Sequence, residues 1–477
     1  MLSVRNLYFR QTDPNFMTQQ QHNFYLPYTS QPNQLILPYS PVLQSPTYSY
    51  PYVPAQFIPN IVQSPPISRN QPSPVDPSVP TYRYQNTVTS PPSLPSMQNW
   101  IHQLSNNLGM LGDYNASYNT FPYAVDPNVE IVIKGQYPYA RYLSFSVIGL
   151  ADLTIATIPD YKLIPDPEST NPFLHGADWN AKNRNYTLKI RFTAPPEGSD
   201  HFVPGAGNNI VYVGTMPNGV PNTHGTIELR IYVPSIGYDH TGGVGFPKIM
   251  YVPVPQDKRY SKNVEQTNQT TIDNPSKPKN NSIQNEWYFS SPKKNRGEKC
   301  DISWRTLSRA SALIQYDYND GYILSDELQR DPSKLLFLRW KAPTFPDTYH
   351  NIGILGNEDM RYWSMSFVSP VGLLGLYTLS DFETVIDKNG YVNLVISFGA
   401  PRPSCVTTES GFNWIDASNL PLIPLQLFYR NKIVSDDFPY SAKDVPEGDI
   451  VSPEVMGEYY PCGKYVDPIY FKKNYCD

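Results

Sequence analysis

Arg141-Tyr142-Leu143-Ser144-Phe145-Ser146-Val147 and Arg361-Tyr362-Trp363-Ser364-Met365-Ser366-Phe367-Val368 are two versions of one short text, 220 residues apart. In both, large apolar side chains alternate with Tyr and Ser. A period of two puts one set of side chains on the buried face of a β-strand and the other set in solvent. The strand is therefore the unit that recurs, and the fold follows from what recurs with it.

Four further segments repeat around this pair in the same order. Ile131–Pro138 (IVIKGQYP) answers to Phe337–Pro343 (FLRWKAP), and Ile158-Pro159-Asp160 to Leu379-Ser380-Asp381. Tyr186–Pro195 (YTLKIRFTAP) parallels Tyr391–Pro401 (YVNLVISFGAP), and Ile227–Pro234 parallels Pro424–Asn431. The offset falls from 220 at Arg141/Arg361 to 206 at Pro195/Pro401, because the first copy carries the extra loop PDPESTNPFLHGADWNAKNRN. Insertions belong in loops, since a strand that gains one residue turns its buried face outward. The expected fold is mainly β: two tandem, related, jelly-roll-like β-sandwich modules.

Composition agrees with that class. Among 477 residues, 50 are Pro, aromatics make up 13% and charged residues only 17%, which excludes an all-α chain. The net charge of −5 argues against a nucleic-acid binder, and no apolar run is long enough to span a membrane as a helix. The first 100 residues hold 18 prolines, interleaved with Tyr, Gln and Ser as in LPYSPVLQSPTYSYPYVPAQFIP. Such density blocks helix and central-strand pairing, so residues 1–98 read as an extended, largely disordered arm. Tyr25, Tyr28, Tyr39, Tyr48, Tyr50, Tyr52 and Phe57 give it area to bury on a protein partner. The expected organisation is arm 1–98, first module 99–255, polar linker 256–299 and second module 300–477. One helix is predicted, over Cys300–Gln315.

Cys300, Cys405, Cys462 and Cys476 show no CxxC spacing of a zinc site. The beginning MLSVRNLYFRQTDP has no apolar core of a secretory signal. Reduced thiols are the expectation, with a Cys462–Cys476 bridge as the alternative, and a virion or intracellular location follows from the same reading.

RYWSMSF, a following Asp and strand, and then FNWIDASNLPLIPLQLFYR resemble uncharacterised two-module β-sandwich families of bacteria and fungi, which have a Tyr-Trp-Ser strand, an Asn-Trp-Leu-Pro motif and a closing Leu-Arg-x-Tyr strand. The matching positions are Tyr362, Trp363, Ser364, Asn413, Trp414 and Leu427. DPESTNPFLHG, NRNYT and TGGVGFP in the first module look like segments of the same proteins. Ile415-Asp416 stands where the family has Leu-Pro, and Phe428-Tyr429 replaces Arg-x-Tyr. The resemblance implies a jelly-roll-like fold and brings no catalytic residues. In style, the arm is similar to virion proteins of large DNA viruses.

The chemistry-bearing residues are few. Asp160, Asp166, Glu168, His175 and Asp178 share one stretch. They read either as an acid pair or calcium loop or as ordinary turn residues, and the missing alternation and central Gly favour turns. The histidines form no H-x-H or H-x₃-H pair, although His201, His224 and His240 can converge through folding. Tyr238–Gly245 (YDHTGGVG) lacks the G-x₄-G-K-S/T of a phosphate loop and reads as a tight turn. Arg141 and Arg361 hold equivalent positions and can bridge to Asp160 and Asp381, stack on an aromatic ring or anchor a ligand. Trp363 and Trp414 are expected to fill the core of the second module. The ligand-binding candidates are thus Arg141, Asp160, Asp166, His175, Asp178, Arg361 and Asp381, with no catalytic residue, metal or cofactor expected. The reading is a non-enzymatic structural or interaction protein whose arm docks on partners. A carbohydrate-binding protein with a loop groove at Asp160–Asp178 is the alternative.

Overall fold

The computed structural model describes residues 100–103, 112–149, 154–215, 220–254, 288–289, 298–307 and 320–476. The arm 1–98 and most of the linker 256–299 lie outside the described residues.

The first half is a two-sheet sandwich. One sheet has the order β1 (Ile101–Gln103), β2 (Ala116–Ala124), β9 (His224–Pro234), β4 (Ala140–Gly149) and β5 (Thr154–Pro159). The other runs β10 (Lys248–Pro253), β3 (Val129–Gln136), β6 (Asn185–Arg191), β8 (Asn209–Tyr212) and β7 (Phe202–Val203). Phe145, Val147, Leu229 and Ile231 from the first sheet meet Ile131, Ile133, Leu188 and Ile190 from the second in one apolar cluster.

The second half follows the same plan. Its first sheet runs β21 (Ile450–Val451), β13 (Trp304–Thr306), β14 (Gly321–Ser325), β20 (Gln426–Val434), β16 (Met360–Ser369) and β17 (Leu374–Ser380). Its second runs β22 (Cys462–Val466), β15 (Leu335–Lys341), β18 (Tyr391–Ser397) and β19 (Phe412–Asp416). The irregularities match as well. A register shift falls between Val147 and Ile148 in β4 and between Phe367 and Val368 in β16. Val233 and Ile433 both take positive φ, of 44° and 47°. In each half one pair is parallel, β6 with β8 and β18 with β19, a departure from an all-antiparallel jelly roll.

Three expectations need correction. Trp304–Thr306, inside the predicted helix, is strand β13 and pairs with both β14 and β21. The only α-helices among the described residues are α1 (Pro453–Met456) and α2 (Pro468–Tyr475). For α2 the start signal is local: Asp467 caps the amides of Ile469 and Tyr470, and Pro468 occupies the first turn. Within the expected linker, β11 (Tyr288–Phe289) pairs with β12 (Glu298–Lys299). The alignment of the last strand also moves by three residues. Ser144 faces Arg230 and Ser364 faces Arg430, so Ile227 corresponds to Leu427 rather than to Pro424.

Trp363, Met365 and Phe367 do share the core face of β16, and Trp414 packs half-buried against the same cluster. The opposite face is not wet. β4 and β16 are buried along nearly their whole length, because the Tyr/Ser faces of the two first sheets pack on each other. Tyr142, Tyr232 and Val233 meet Tyr362 there, with the Tyr232 and Tyr362 ring centres 5.4 Å apart. The backbones also approach closely at Gly375 of β17, where an added Cβ would lie 2.4 Å from the Gly112 carbonyl oxygen. Gly375→Ala is expected to cost about 2–3 kcal/mol by overpacking against backbone. A urea midpoint equal to the parent's would contradict this close approach.

None of the helices among the described residues is long and apolar enough to cross a membrane.

Candidate functional site

The interface between the two halves gathers most of the buried charge. Arg141 is the second residue of β4 in the first half, yet its Nη1 lies 2.5 Å from Oδ2 of Asp381 in the second, with both side chains fully buried. Its Nε donates to Thr348 Oγ1 at 2.7 Å, and the guanidinium stands 5.0 Å from the Phe345 ring centre. Arg361 makes the reciprocal reach to Asp160 Oδ1 at 3.2 Å, donates to the Phe173 carbonyl at 3.1 Å and lies 5.6 Å from the Phe173 ring centre. Each aspartate is also held by its own half. Leu143 N donates to Asp160 and Trp363 N to Asp381. Both Asp residues sit in short 3-10 turns directly after β5 and β17. The sequence reading offered bridges between Arg and Asp and stacking on aromatics. The structure makes both and crosses the bridges between halves.

Around these pairs lies a polar layer that the sequence reading missed. Asp113 Oδ2 accepts from Tyr362 and Ser364, each at 2.8 Å, and faces Arg430 at 3.7 Å. Lys432 is fully buried, 2.6 Å from Asp320, and lies 4.7 Å from the centre of the Tyr142 ring. Arg230 reaches Ser144 and Ser146, while Arg430 reaches Ser366. Burial raises the hydroxyls of Tyr232, Tyr322 and Tyr362 well above the ordinary tyrosine range, so they remain protonated donors. The available signal was a charge embedded in an apolar strand, as in IELRIYVP and LQLFYRNKIV.

Glu383 makes this layer sensitive to pH. Its carboxylate accepts from Asn115 Nδ2 at 2.8 Å and from Ser380 N at 3.4 Å. Burial, the largest influence, outweighs these bonds and raises its pKa from 4.5 to about 7. The folded chain therefore binds more protons than the unfolded chain between the two values. This contribution is greatest below about pH 4.5 and is lost as pH climbs through 7, by no more than about 3 kcal/mol. Urea midpoints from pH 4.5 to 8 should fall less steeply for Glu383→Gln than for the parent. Parallel profiles would rule out this assignment.

The other expected site residues do not converge. Asp166 accepts from Thr187 Oγ1 at 3.0 Å, and Asp178 accepts from the amide of Asn180 at 2.9 Å in an exposed turn. His175 is exposed, its ring against Gly356. The loop thus follows the turn reading. His201 bonds the Tyr212 carbonyl and His224 bonds Thr223, whereas His240 stacks on His102 with ring centres 4.0 Å apart. Among the described residues no three His, Cys, Asp or Glu side chains group as metal ligands. Tyr238–Gly245 is a tight turn. Asp239 accepts from the Thr241 and Gly243 amides, and Gly242, Gly243 and Gly245 have positive φ.

The thiol expectation is overturned. Cys300 pairs with Cys462 and Cys405 with Cys476, leaving no free cysteine among the described residues.

No protein-family model matches the chain, and no curated protein matches it. Among solved structures, an uncharacterised protein of Burkholderia cenocepacia is similar at 11% identity and a TM-score of 0.40, over 76% of this chain and 78% of that one. A protein of Vibrio parahaemolyticus is similar at 13% identity and a TM-score of 0.36, over 72% of this chain and 90% of that one.

Proposed function

We propose that this chain is a non-enzymatic structural and interaction protein, a stiff double-sandwich block presented to protein partners by its Pro/Tyr-rich arm. A component of a virion or comparable particle is the concrete form of the proposal. The observation that carries it is the reciprocal pair Arg141–Asp381 and Arg361–Asp160. These residue types are the ones a binding site would use, and here they join one half to the other. The faces of β4 and β16 that a binding sheet would offer to a ligand are likewise spent on the contact between halves. The two disulfides support a place outside a reducing compartment.

The test is mass spectrometry of purified particles from the native source, together with sedimentation of a chain lacking residues 1–98. Particles that contain the full chain and lose the truncated one support the proposal. Absence of the full chain from particles counts against the particle role, and equal sedimentation of both chains counts against the arm.

A further inference from the structure

We propose that the first half holds an oxyanion-binding site built on Arg184 and Trp179, independent of the structural role above. Arg184 is only 2% exposed and Trp179 only 4%. Nε, Nη1 and Nη2 of Arg184 and Nε1 of Trp179 make no well-aligned hydrogen bond within the protein. The guanidinium carbon lies 3.8 Å from the centre of the Tyr139 ring and 5.9 Å from that of Trp179. Stacking on Tyr139 engages one π face of the guanidinium. The five N–H bonds point along its plane, where stacking supplies no acceptor. A buried guanidinium does not shed its proton, so its cost must be met by an acceptor. Burial lowers the Arg184 pKa, opposed by the charge and the weak, poorly aligned hydrogen bond of the Tyr139 hydroxyl and by the nearby Tyr238 and Asp178.

Placement supports a ligand rather than a structural partner. Trp179 and Arg184 both belong to the loop that the first half carries in excess of the second, and such insertions are where folds acquire binding groups. The loop is held in shape from the second half. Gly353 lies against Trp179, where an added Cβ would stand 3.0 Å from the Trp179 Cβ, and Gly176 N donates to the Ile354 carbonyl. Tyr238, 43% exposed, stacks on Tyr139 with ring centres 4.8 Å apart and planes 4° from parallel. A planar fork of five donors, in the same loop as an indole N–H that also lacks an acceptor, matches a carboxylate or phosphate group.

Thermal unfolding of the full chain in sodium phosphate, sodium acetate or sodium chloride at one ionic strength tests the assignment. Phosphate or acetate should raise Tm saturably by about 3 °C over chloride, and the stronger of the two identifies the ligand chemistry. Arg184→Met removes an unpaired buried charge. It should therefore leave Tm in chloride at or above the parent's while abolishing the anion response. Trp179→Phe should weaken that response. Equal Tm in all three salts overturns the site, as does an undiminished response in Arg184→Met. A fall in Tm in chloride for Arg184→Met, matched by an equal fall for Asp178→Asn, would also overturn it, by making Asp178 the partner of Arg184.

Discussion

Replacing Arg141 by Met should lower stability by about 3–5 kcal/mol, the range for breaking a buried ion pair from one side. Asp381→Leu should cost at least as much. The asymmetry comes from protonation. Once Arg141 is gone, the Asp381 carboxyl can take up a proton. Its pKa is already raised from 3.8 to about 6 by burial, against the opposing pull of Arg141. Losing the guanidinium pushes it further up. Arg141 has no such escape, because guanidinium stays charged. Without Asp381 it keeps only Thr348 Oγ1 and the Phe345 face. The double variant Arg141→Met/Asp381→Leu removes both charges and should recover most of the loss, to within about 1–2 kcal/mol of the parent. Urea unfolding at pH 8 gives the cycle. The deficit of Arg141→Met should shrink toward pH 5, since a carboxyl with a raised folded-state pKa destabilises only where it is ionised. Strictly additive single losses would mean that the contact of the halves does not depend on this pair.

How much of this was legible depends on which face of a strand is considered. The core face was readable from the alternation of Trp363, Met365 and Phe367, since apolar side chains at period two have one destination. The other face was misread. Tyr142, Ser144 and Ser146 look like a solvated face, and alternation alone cannot distinguish water from a second polar sheet. The positions of Arg141, Asp160, Arg361 and Asp381 were visible as equivalent pairs, but the crossing of partners depends on how two modules pack. The missed strand shift has a similar cause. Pro234 and Asn431 end similar-looking segments, whereas the true guide was Arg230 with Arg430, each opposite a serine of the neighbouring strand. Asn209 and Asn413 show the same limit. Each bonds a preceding loop at both its amide nitrogen and its carbonyl oxygen, at Ile164 and Val385. Only the second stands in a motif legible in the sequence, Asn413-Trp414.

Reducing the two disulfides should cost the second half more than any single substitution outside the interface. Cys300–Cys462 closes a span of 162 residues and Cys405–Cys476 a span of 71. Such separations hide a pairing from sequence, yet they give long loops in the unfolded chain. Chain-entropy reasoning assigns about 5 kcal/mol to the first bridge and about 4 kcal/mol to the second, taken separately. The spans overlap between 405 and 462, so removing both should cost less than the sum. Their local effects differ. Cys462 lies at the start of β22, which pairs with the central strand β15, so the first bridge fastens the segment before β13 to a well-supported sheet. Cys476 ends α2, whose Phe471 and Tyr475 pack on Phe337. Cys405→Ser/Cys476→Ser should therefore loosen α2 first, seen as faster amide exchange at 468–475 while β15 stays protected. Cys300→Ser/Cys462→Ser should lower the global urea midpoint further than that pair does. Equal midpoints for the parent with and without dithiothreitol would show that neither bridge contributes to the fold.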